Sequence, residues 1–273
     1  MSASHRNGCF SLIARVKIAS ISKMFSAVAA LIWVASATAG GETIPGNPLI
    51  DITAGPFVFG SDAGKENERP QRIVEGKAFA MNEIEITNAQ YQRFVDATGH
   101  RAPFYSGHPS LGLPDRPVVG VSFSDAEAFC AYHGLRLPSE QEYERAARGM
   151  GGALFPWGNL PVDAMRANGG GSPCCRADNS DGYDMTAPAR SFPKGASKEH
   201  LLNLVGNVWE WTRDFYAPYS GGTSPDIAGK YRVLRGGAWN SDPSRLSTTY
   251  RLAYDPDFRF AATGGFRCVR SQD

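Results

Sequence analysis

The sequence predicts a mixed α+β domain in which little of the chain forms regular secondary structure. Three helix-start patterns precede Gly149, and strand-like runs follow at residues 233–239 (VLRGGAW) and 265–270 (GFRCVR). The 273 residues include 30 glycines and 18 prolines, which favour turns and loops. A chain of this length buries one sizeable hydrophobic core, or at most two small ones.

Each predicted helix begins with a capping box, in which a hydroxyl side chain and a glutamate or glutamine three residues later bond each other's backbone N–H groups. The boxes are Thr87 with Gln90, Ser124 with Glu127, and Ser139 with Glu142. Gly99, Gly134 and Gly149 stand where the helices would end, because glycine adopts the left-handed conformation that closes a helix. The glutamates of these boxes are structural, so we predict no catalytic acid among them.

The first 39 residues have the pattern of a secretory signal peptide. Four basic residues precede an apolar run at residues 24–34 (MFSAVAALIWV), and residues 37–39 (ATA) fit the cleavage rule. The apolar run is too short to span a bilayer. We therefore expect an exported protein, periplasmic or secreted, with a linker at residues 40–46 and one domain at residues 47–273.

The charge balance excludes one class of partner. The chain carries 28 basic and 27 acidic residues, a formal net charge of +1. A protein that binds nucleic acid through phosphate contacts has a basic surface. We expect no nucleic-acid partner.

Export would place the cysteines in an oxidising compartment, where an even set indicates disulfides. Cys9 would leave with the signal peptide, and Cys130, Cys174, Cys175 and Cys268 would remain. Four cysteines allow three pairings. Adjacent cysteines form only a strained ring, so Cys174 and Cys175 are open to several interpretations: a labile or ordinary loop disulfide, a thiol pair, or a replacement metal site.

Three stretches resemble the sulfatase-modifying-factor, or formylglycine-generating, family. They are residues 83–94 (EIEITNAQYQRF), residues 203–214 (NLVGNVWEWTRD) and residues 234–270, which begin LRGGAWNSDPSRLSTTYR. The motifs occur in the family's order over roughly residues 47–270. The resemblance implies an irregular α+β fold related to the C-type lectin core, in which helices and long loops surround a small twisted sheet.

Two cysteines that the resemblance leads one to expect are missing. In catalytic members they follow the RGG motif and bind the copper that activates oxygen. The first position falls at Ser241, and the second at Leu246 or, with a loop one residue longer, at Ser247. Serine hydroxyls do not ionise near neutral pH and are poor ligands for Cu(I), which selects thiolates. We therefore expect no copper centre and no formylglycine synthesis.

The same resemblance selects one cysteine pairing. The sequence FC ending at Cys130 and the sequence GFRC ending at Cys268 match the two ends of the family's structural disulfide. This pairing would tie the first half of the domain to its last strand. The connection at residues 100–115 is also short, where copper-dependent members carry a longer insertion near the substrate groove.

Two structural calcium sites are implied by the family's ligand pattern, since calcium takes oxygen ligands from side chains and carbonyls of tight turns. The first site would consist of Asn168, Gly169, Asp181 and Tyr183. The second would consist of Asn203, Gly206, Val208 and Glu210. The alternative makes these residues ordinary turn formers and Glu210 a surface charge.

A polar groove is the expected place for any chemistry or ligand binding. Its candidate residues are Trp239, Asn240, Ser241, Asp242, Arg245, Ser247, Thr249, Tyr250 and Arg251. Such side chains suit hydrogen bonding and stacking on a polar ligand, and Arg251 with Arg267 would anchor a carboxylate. The alternative interpretation places Trp239 and Tyr250 in the core and Arg251 in a structural salt bridge.

Two functions fit these observations. The first is an exported accessory or maturation factor that acts oxidatively on a peptide or protein without the thiol-copper centre, for example in siderophore or enzyme maturation. The alternative is a non-catalytic protein that binds a ligand in the lectin-like groove. The expected partner is a peptide, a protein or a small polar ligand, and we expect a monomer with no membrane association after signal cleavage.

Overall fold

The described residues contain three α-helices, and all three lie between the fourth and the fifth strand of the chain. The computed structural model describes residues 43–169, 179–219, 229–259 and 261–272, which belong to one compact unit spanning Ala39–Asp273. The helices are α1 (Asn88–Thr98), α2 (Phe123–Tyr132) and α3 (Glu140–Arg148). The strands are β1 (Leu49–Ile52), β2 (Gly55–Phe59), β3 (Arg72–Gly76), β4 (Phe79–Asn82), β5 (Trp209–Phe215), β6 (Arg232–Arg235), β7 (Arg251–Tyr254), β8 (Gly264–Gly265) and β9 (Val269–Ser271).

The strands form three small sheets. One has the order β1-β4-β9, a second pairs β2 with β3, and the third has the order β7-β6-β5-β8. All pairings are antiparallel except that between β5 and β8. The predicted strand at residues 233–239 ends at Arg235, because Gly236 and Gly237 adopt positive φ angles of 93° and 83°. The predicted strand at residues 265–270 is interrupted between β8 and β9.

Two of the three predicted helix starts are confirmed. Thr87 and Gln90 form a reciprocal capping box on α1, and Gly99 closes that helix with φ 72° and ψ 14°. Ser139 and Glu142 form the corresponding box on α3. The hydrogen bonds of each box satisfy N–H groups that the first turn of a helix leaves without partners.

The predicted start of α2 at Ser124 is wrong. Ser122 is the N-cap, and Asp125 completes the box from the third helical position. The earlier start buries Phe123 against Trp211, at 6.1 Å between ring centroids. It also places the Asp125 carboxylate within 2.6 Å of the Arg101 side chain. An aspartate takes the place of the glutamate or glutamine typical of this motif.

The disulfide between Cys130 and Cys268 is present, which confirms the predicted pairing. The two Cα atoms lie 5.7 Å apart, and the bond spans a sequence separation of 138 residues. Both cysteines are fully buried in the largest hydrophobic cluster, beside Phe129 and Phe266, whose ring centroids are 5.4 Å apart. The bond therefore joins α2 to the segment before β9 inside the core.

Several sequence predictions lie outside the described residues. These are the signal peptide at residues 1–39 and the pair Cys174 and Cys175. Ile44, within the expected linker, is 2% exposed and packs in the main core, so the packed chain includes residues before 47. Within the described segments, no helix is long and apolar enough to cross a bilayer.

Candidate functional site

Glu210 on β5 forms a buried ion pair with Arg267. The Arg267 Nε atom donates to Glu210 Oε2 at 2.7 Å, and its Nη2 atom donates to Oε1 at 2.9 Å. Neither side chain is exposed. The Tyr143 hydroxyl donates to Oε1 at 3.3 Å. Glu210 is therefore a core charge with two partners and not a surface residue.

Glu85 is a second buried carboxylate in this region, and the sequence analysis missed it. Its two oxygens accept hydrogen bonds from the side-chain amides of Asn203 and Asn207, at 3.1 and 2.9 Å. Burial raises the pKa of Glu85 to about 7, and the Glu210 charge adds to the rise against the opposing effect of Arg267. A glutamate between two isoleucines in a buried stretch was the available signal.

Among the described residues, two buried amide oxygens in the predicted calcium region have no hydrogen-bond donor. They are the Oδ1 atoms of Asn168 and Asn203, two residues that are 1% and 3% exposed. A buried polar atom without a partner is costly, and an ion or ordered water commonly explains it. Amide oxygens are among the ligands that calcium accepts. These two atoms therefore fit the predicted role of Asn168 and Asn203.

The geometry of the first predicted site is consistent with tight turns around an ion. Asn168 uses its Nδ2 group to bond the Met185 carbonyl at 2.8 Å and Asn207 Oδ1 at 3.1 Å, which directs Oδ1 away from these partners. Asp181 Oδ1 accepts from the Tyr183 backbone N–H at 2.9 Å, which fixes that turn. Of the first predicted set, Asn168 therefore has an orphaned amide oxygen, while Asp181 has its own turn contact.

The second predicted site fits less completely. Asn203 adopts a left-handed φ of 55°. A Cβ atom on Gly206 would lie 2.5 Å from the Asn168 carbonyl oxygen, so glycine permits the two turns to touch. The Glu210 carboxylate, however, is bonded to Arg267, and an ion there would share it. In the described part of the chain, no group of three or more His, Cys, Asp or Glu side chains could hold a metal, so each predicted site would need amide and carbonyl oxygens beside its one carboxylate.

The positions of the missing cysteines lie on one short loop. Ser241 is 5% exposed, and its Oγ accepts from the Ala238 N–H at 2.9 Å, so this hydroxyl stabilises the turn. Leu246 is 1% exposed and packs with Phe155 and Val205 in a small apolar cluster. A 3-10 turn at Pro243–Arg245 separates the two positions.

A cavity of about 510 Å³ opens beside this loop. The lining residues are Ser61, Ala63, Gly64, Lys65, Glu68, Leu154, Phe155, Pro243, Ser244, Leu246, Ser247 and Thr249. Both alternatives for the second cysteine position, Leu246 and Ser247, therefore face the cavity. The Ser247 Oγ accepts from the Tyr250 N–H at 3.2 Å. Of the predicted groove residues, the structure brings Ser247 and Thr249 into this cavity.

Arg251 belongs to a buried ion-pair network and does not face the cavity. Its Nε and Nη2 atoms donate to Glu140 at 2.7 and 2.6 Å. Arg235 bridges Glu140 and Glu144 at 2.8 and 2.6 Å. Because Arg267 is paired separately with Glu210, the predicted joint anchor of Arg251 and Arg267 does not form in this structure. The alternative interpretation of Arg251 as a structural residue agrees with these contacts.

The remaining groove candidates divide between core and rim. Tyr250 is 8% exposed and packs on Trp209 at 5.7 Å between ring centroids, and the half-buried Trp239 donates its Nε1–H to the Ala262 carbonyl at 3.2 Å. Asn240 is half-buried and Arg245 is exposed. Asp242 caps the 3-10 turn by accepting from the Ser244 N–H at 2.9 Å, and hydrogen bonds from the Ser244 side chain and backbone lower the pKa of its carboxyl.

Comparison with known proteins places this geometry in one family. The model of the "Sulfatase-modifying factor enzyme 1-like domain" matches residues 36–272. The formylglycine-generating enzyme of Bos taurus is 32% identical over 289 aligned residues, which cover 84% of this chain and 76% of that protein. The hercynine oxygenase of Mycolicibacterium smegmatis is 31% identical, and the match covers 78% of this chain but only 59% of that protein.

A solved structure gives the same result. The structure of PvdO from Pseudomonas aeruginosa superposes with a TM-score of 0.68 at 25% identity, covering 82% of this chain and 94% of that chain. The irregular α+β, C-type-lectin-like fold expected from the sequence is thereby confirmed.

Proposed function

Because the chain belongs to the sulfatase-modifying factor enzyme 1-like family, we propose that it is an exported accessory factor that modifies a peptide or protein oxidatively during maturation. The oxidative role is supported by similarity to a hercynine oxygenase, a formylglycine-generating enzyme and PvdO. Export is supported by the signal-peptide pattern of residues 1–39. The proposed site of action is the cavity lined by Leu246, Ser247 and Thr249.

One observation carries the proposal that this chain works without a thiol-copper centre. The loop from Ser241 to Ser247 contains a 3-10 turn at Pro243–Arg245, and it brings Leu246 and Ser247, neither of them a thiol, to the cavity. Leu246 is packed so closely that a Cβ atom on Gly237 would lie 2.5 Å from its methyl group. These contacts support the proposal, because a hydroxyl in a hydrogen-bonded turn and a packed leucine are not ligands for Cu(I).

Calcium is proposed as a structural ion and takes no part in the chemistry. Asn168, Asp181 and Asn203, together with the carbonyls of Gly169, Tyr183, Gly206 and Val208, would hold it, with Glu210 shared as described above. The support is the pair of orphaned amide oxygens. An ion at these turns would stabilise loops that no helix or sheet holds.

The second candidate function is ligand binding without catalysis. It is favoured by the described lining of the cavity, which includes no histidine or cysteine and whose one carboxylate, Glu68, accepts from the Thr249 hydroxyl at 2.6 Å. A cavity of this kind, apolar with a few polar groups, is typical of small-ligand sites.

The two functions differ in whether the ligand changes mass. Purified protein from residue 40 onward is incubated in air with peptides assembled by the products of neighbouring genes, and the peptides are followed by mass spectrometry. Loss of two hydrogens or gain of oxygen, absent with heat-denatured protein, supports the maturation role. Binding measured by calorimetry with no change in mass supports the second function and rejects the first.

A further inference from the structure

The cavity beside the loop of residues 241–247 has one cationic side chain, Lys65. Its ammonium group lies 4.7 Å from the centroid of the Tyr250 ring. Within the described residues, Lys65 forms no salt bridge. The Tyr250 ring therefore positions the ammonium group, and no paired carboxylate neutralises its charge. Because Lys65 is exposed and lines the cavity, its ammonium group is accessible to a ligand.

The backbone that carries Lys65 is held in place from two sides. Lys65 precedes the 3-10 turn at Glu66–Glu68, whose last residue accepts from the Thr249 hydroxyl at 2.6 Å. The Asn67 carbonyl accepts from Arg251 at 2.9 Å. The turn is thus bonded to the residues that flank Tyr250 in sequence, which keeps the ammonium group near the ring.

The part of the cavity wall formed by Leu154 and Phe155 is apolar and is also held in place. Thr248 donates its hydroxyl to the Ala153 carbonyl at 2.9 Å, and its N–H to the Leu154 carbonyl at 3.1 Å. Phe155 stacks on Trp157, with ring planes 2° apart and centroids separated by 5.1 Å. This wall is a fixed surface on which an aromatic or other flat apolar group can pack.

The charge of the cavity favours a ligand with a single negative charge. Lys65 contributes one positive charge, while the Glu68 carboxylate, 3% exposed, contributes a negative charge. The Asp242 carboxylate is also nearby, since Lys65 adds to the lowering of its pKa by Ser244 and Arg245. One ammonium group neutralises one negative charge of a ligand, so the second charge of a dianion such as phosphate would only be repelled by the carboxylates, whereas a monocarboxylate carries no such second charge.

We propose that this cavity binds an aromatic group that carries one carboxylate, with Lys65 as the residue that selects the anion. The aromatic body packs on Leu154 and Phe155, and the carboxylate pairs with the ammonium group over Tyr250. This inference rests on the proposed function only where it treats the bound group as part of the substrate. The group belongs either to a small molecule or to a peptide terminus.

The test compares N-acetyl-L-phenylalanine with its amide, which has the same shape and no charge. Binding to the purified protein is measured by ligand-observed NMR titration. We expect the acid to bind in the millimolar range and the amide to bind at least about fivefold more weakly, a difference that decreases with added salt. A peptide ending in phenylalanine, with a free or amidated carboxyl terminus, separates a peptide ligand from a small acid.

Three variants identify the residue responsible. Lys65→Met keeps the apolar stem over Tyr250 and should remove the preference for the acid, whereas Lys65→Arg should retain it. Arg245→Met is the matched control, because Arg245 is exposed on the same loop but does not line the cavity. It should leave the preference unchanged.

Several results would overturn the proposal. They are equal binding of acid and amide, no binding of either, or an effect of Arg245→Met as large as that of Lys65→Met. The acid-to-amide comparison needs only the wild-type protein, so it holds even where a variant folds poorly. Selective binding of the acid with no oxidised product from any tested peptide would reject the maturation role while this inference stands.

Discussion

Glu210 and Arg267 face each other through two hydrogen bonds, of 2.7 and 2.9 Å, in a part of the core where neither side chain reaches solvent. Arg267 also donates to the Leu202 carbonyl at 2.7 Å, so one guanidinium group joins β5 to the loop before it and to the segment before β9. Removing either charge would leave the other buried without compensation.

Glu210→Gln should therefore destabilise the protein by about 3–5 kcal/mol, the usual cost of breaking a buried pair from one side. Urea unfolding followed by tryptophan fluorescence measures the change. Glu83→Gln is the control, because Glu83 pairs with Arg190, whose side chain is 51% exposed. That substitution should cost less than about 1 kcal/mol. Equal effects of the two substitutions would contradict the structural role of Glu210.

The disulfide should make a large contribution to stability. In the chain-entropy model, closing a loop of more than about 100 residues contributes roughly 4–5 kcal/mol, before any strain in the folded state is subtracted. The variant with Cys130→Ala and Cys268→Ala should show this loss in urea unfolding. Peptide mapping without reductant should recover Cys130 joined to Cys268, and a link from Cys130 to Cys174 or Cys175 would disprove the pairing.

Calcium removal should lower the melting temperature. An ion that binds only the folded state adds RT ln(1 + [L]/Kd), which is about 2.7 kcal/mol at a hundredfold excess over Kd. Asn168→Ala removes an orphaned oxygen and should reduce the calcium content measured by elemental analysis. This variant is a cleaner probe than Glu210→Gln, because the loss of Glu210 also leaves Arg267 unpaired. No bound calcium and an EDTA-insensitive melting curve would reject both sites.

Stability should fall as pH rises from about 4.5 to about 7 because of Glu85. Burial raises the pKa of Glu85 to about 7 in the folded protein, against an ordinary value of 4.5. Between these values the folded state binds more protons than the unfolded state, so raising the pH favours unfolding. Urea unfolding in EDTA at several pH values measures the slope. Glu85→Gln should flatten it, and an unchanged slope in that variant would assign the effect to another group.

The protein should not convert a sulfatase peptide containing the CxPxR motif to formylglycine, with or without added copper. Ser241 and Leu246 or Ser247 stand where the thiolates of catalytic relatives are expected, and hydroxyls do not replace thiolates as Cu(I) ligands. Mass spectrometry of the peptide, with a catalytic relative as positive control, tests this. Product at a rate similar to that of the relative would show that the missing cysteines are dispensable.

Local features of the fold could be predicted from the sequence, whereas long-range polar pairs could not. The capping boxes at Thr87 and Ser139 are local, since each involves residues three positions apart. The start of α2 was misplaced because two serines, Ser122 and Ser124, compete for the cap. The choice between them depends on Arg101, 24 residues from its partner Asp125.

The candidate site shows the same division. The loop at residues 241–247 could be located from the RGG motif, and the family resemblance gave the correct disulfide. Arg251 looked available for a ligand because its partner, Glu140, lies 111 residues away. Lys65 carried no signal at all, because its position beside Tyr250 is a product of the tertiary fold.

The three-stranded sheet imposes an order on the folding of this chain. Its central strand β4 pairs on one side with β1, which is nearby in sequence. On the other side β4 pairs with β9, and the partners Met81 and Val269 are nearly 190 residues apart in sequence. During synthesis β4 therefore emerges long before the strand that covers its free edge. Unpaired strand edges promote association between chains, and contacts of such long range slow folding. The edge of β4 that β9 covers can therefore be paired only after the last strand has been synthesised.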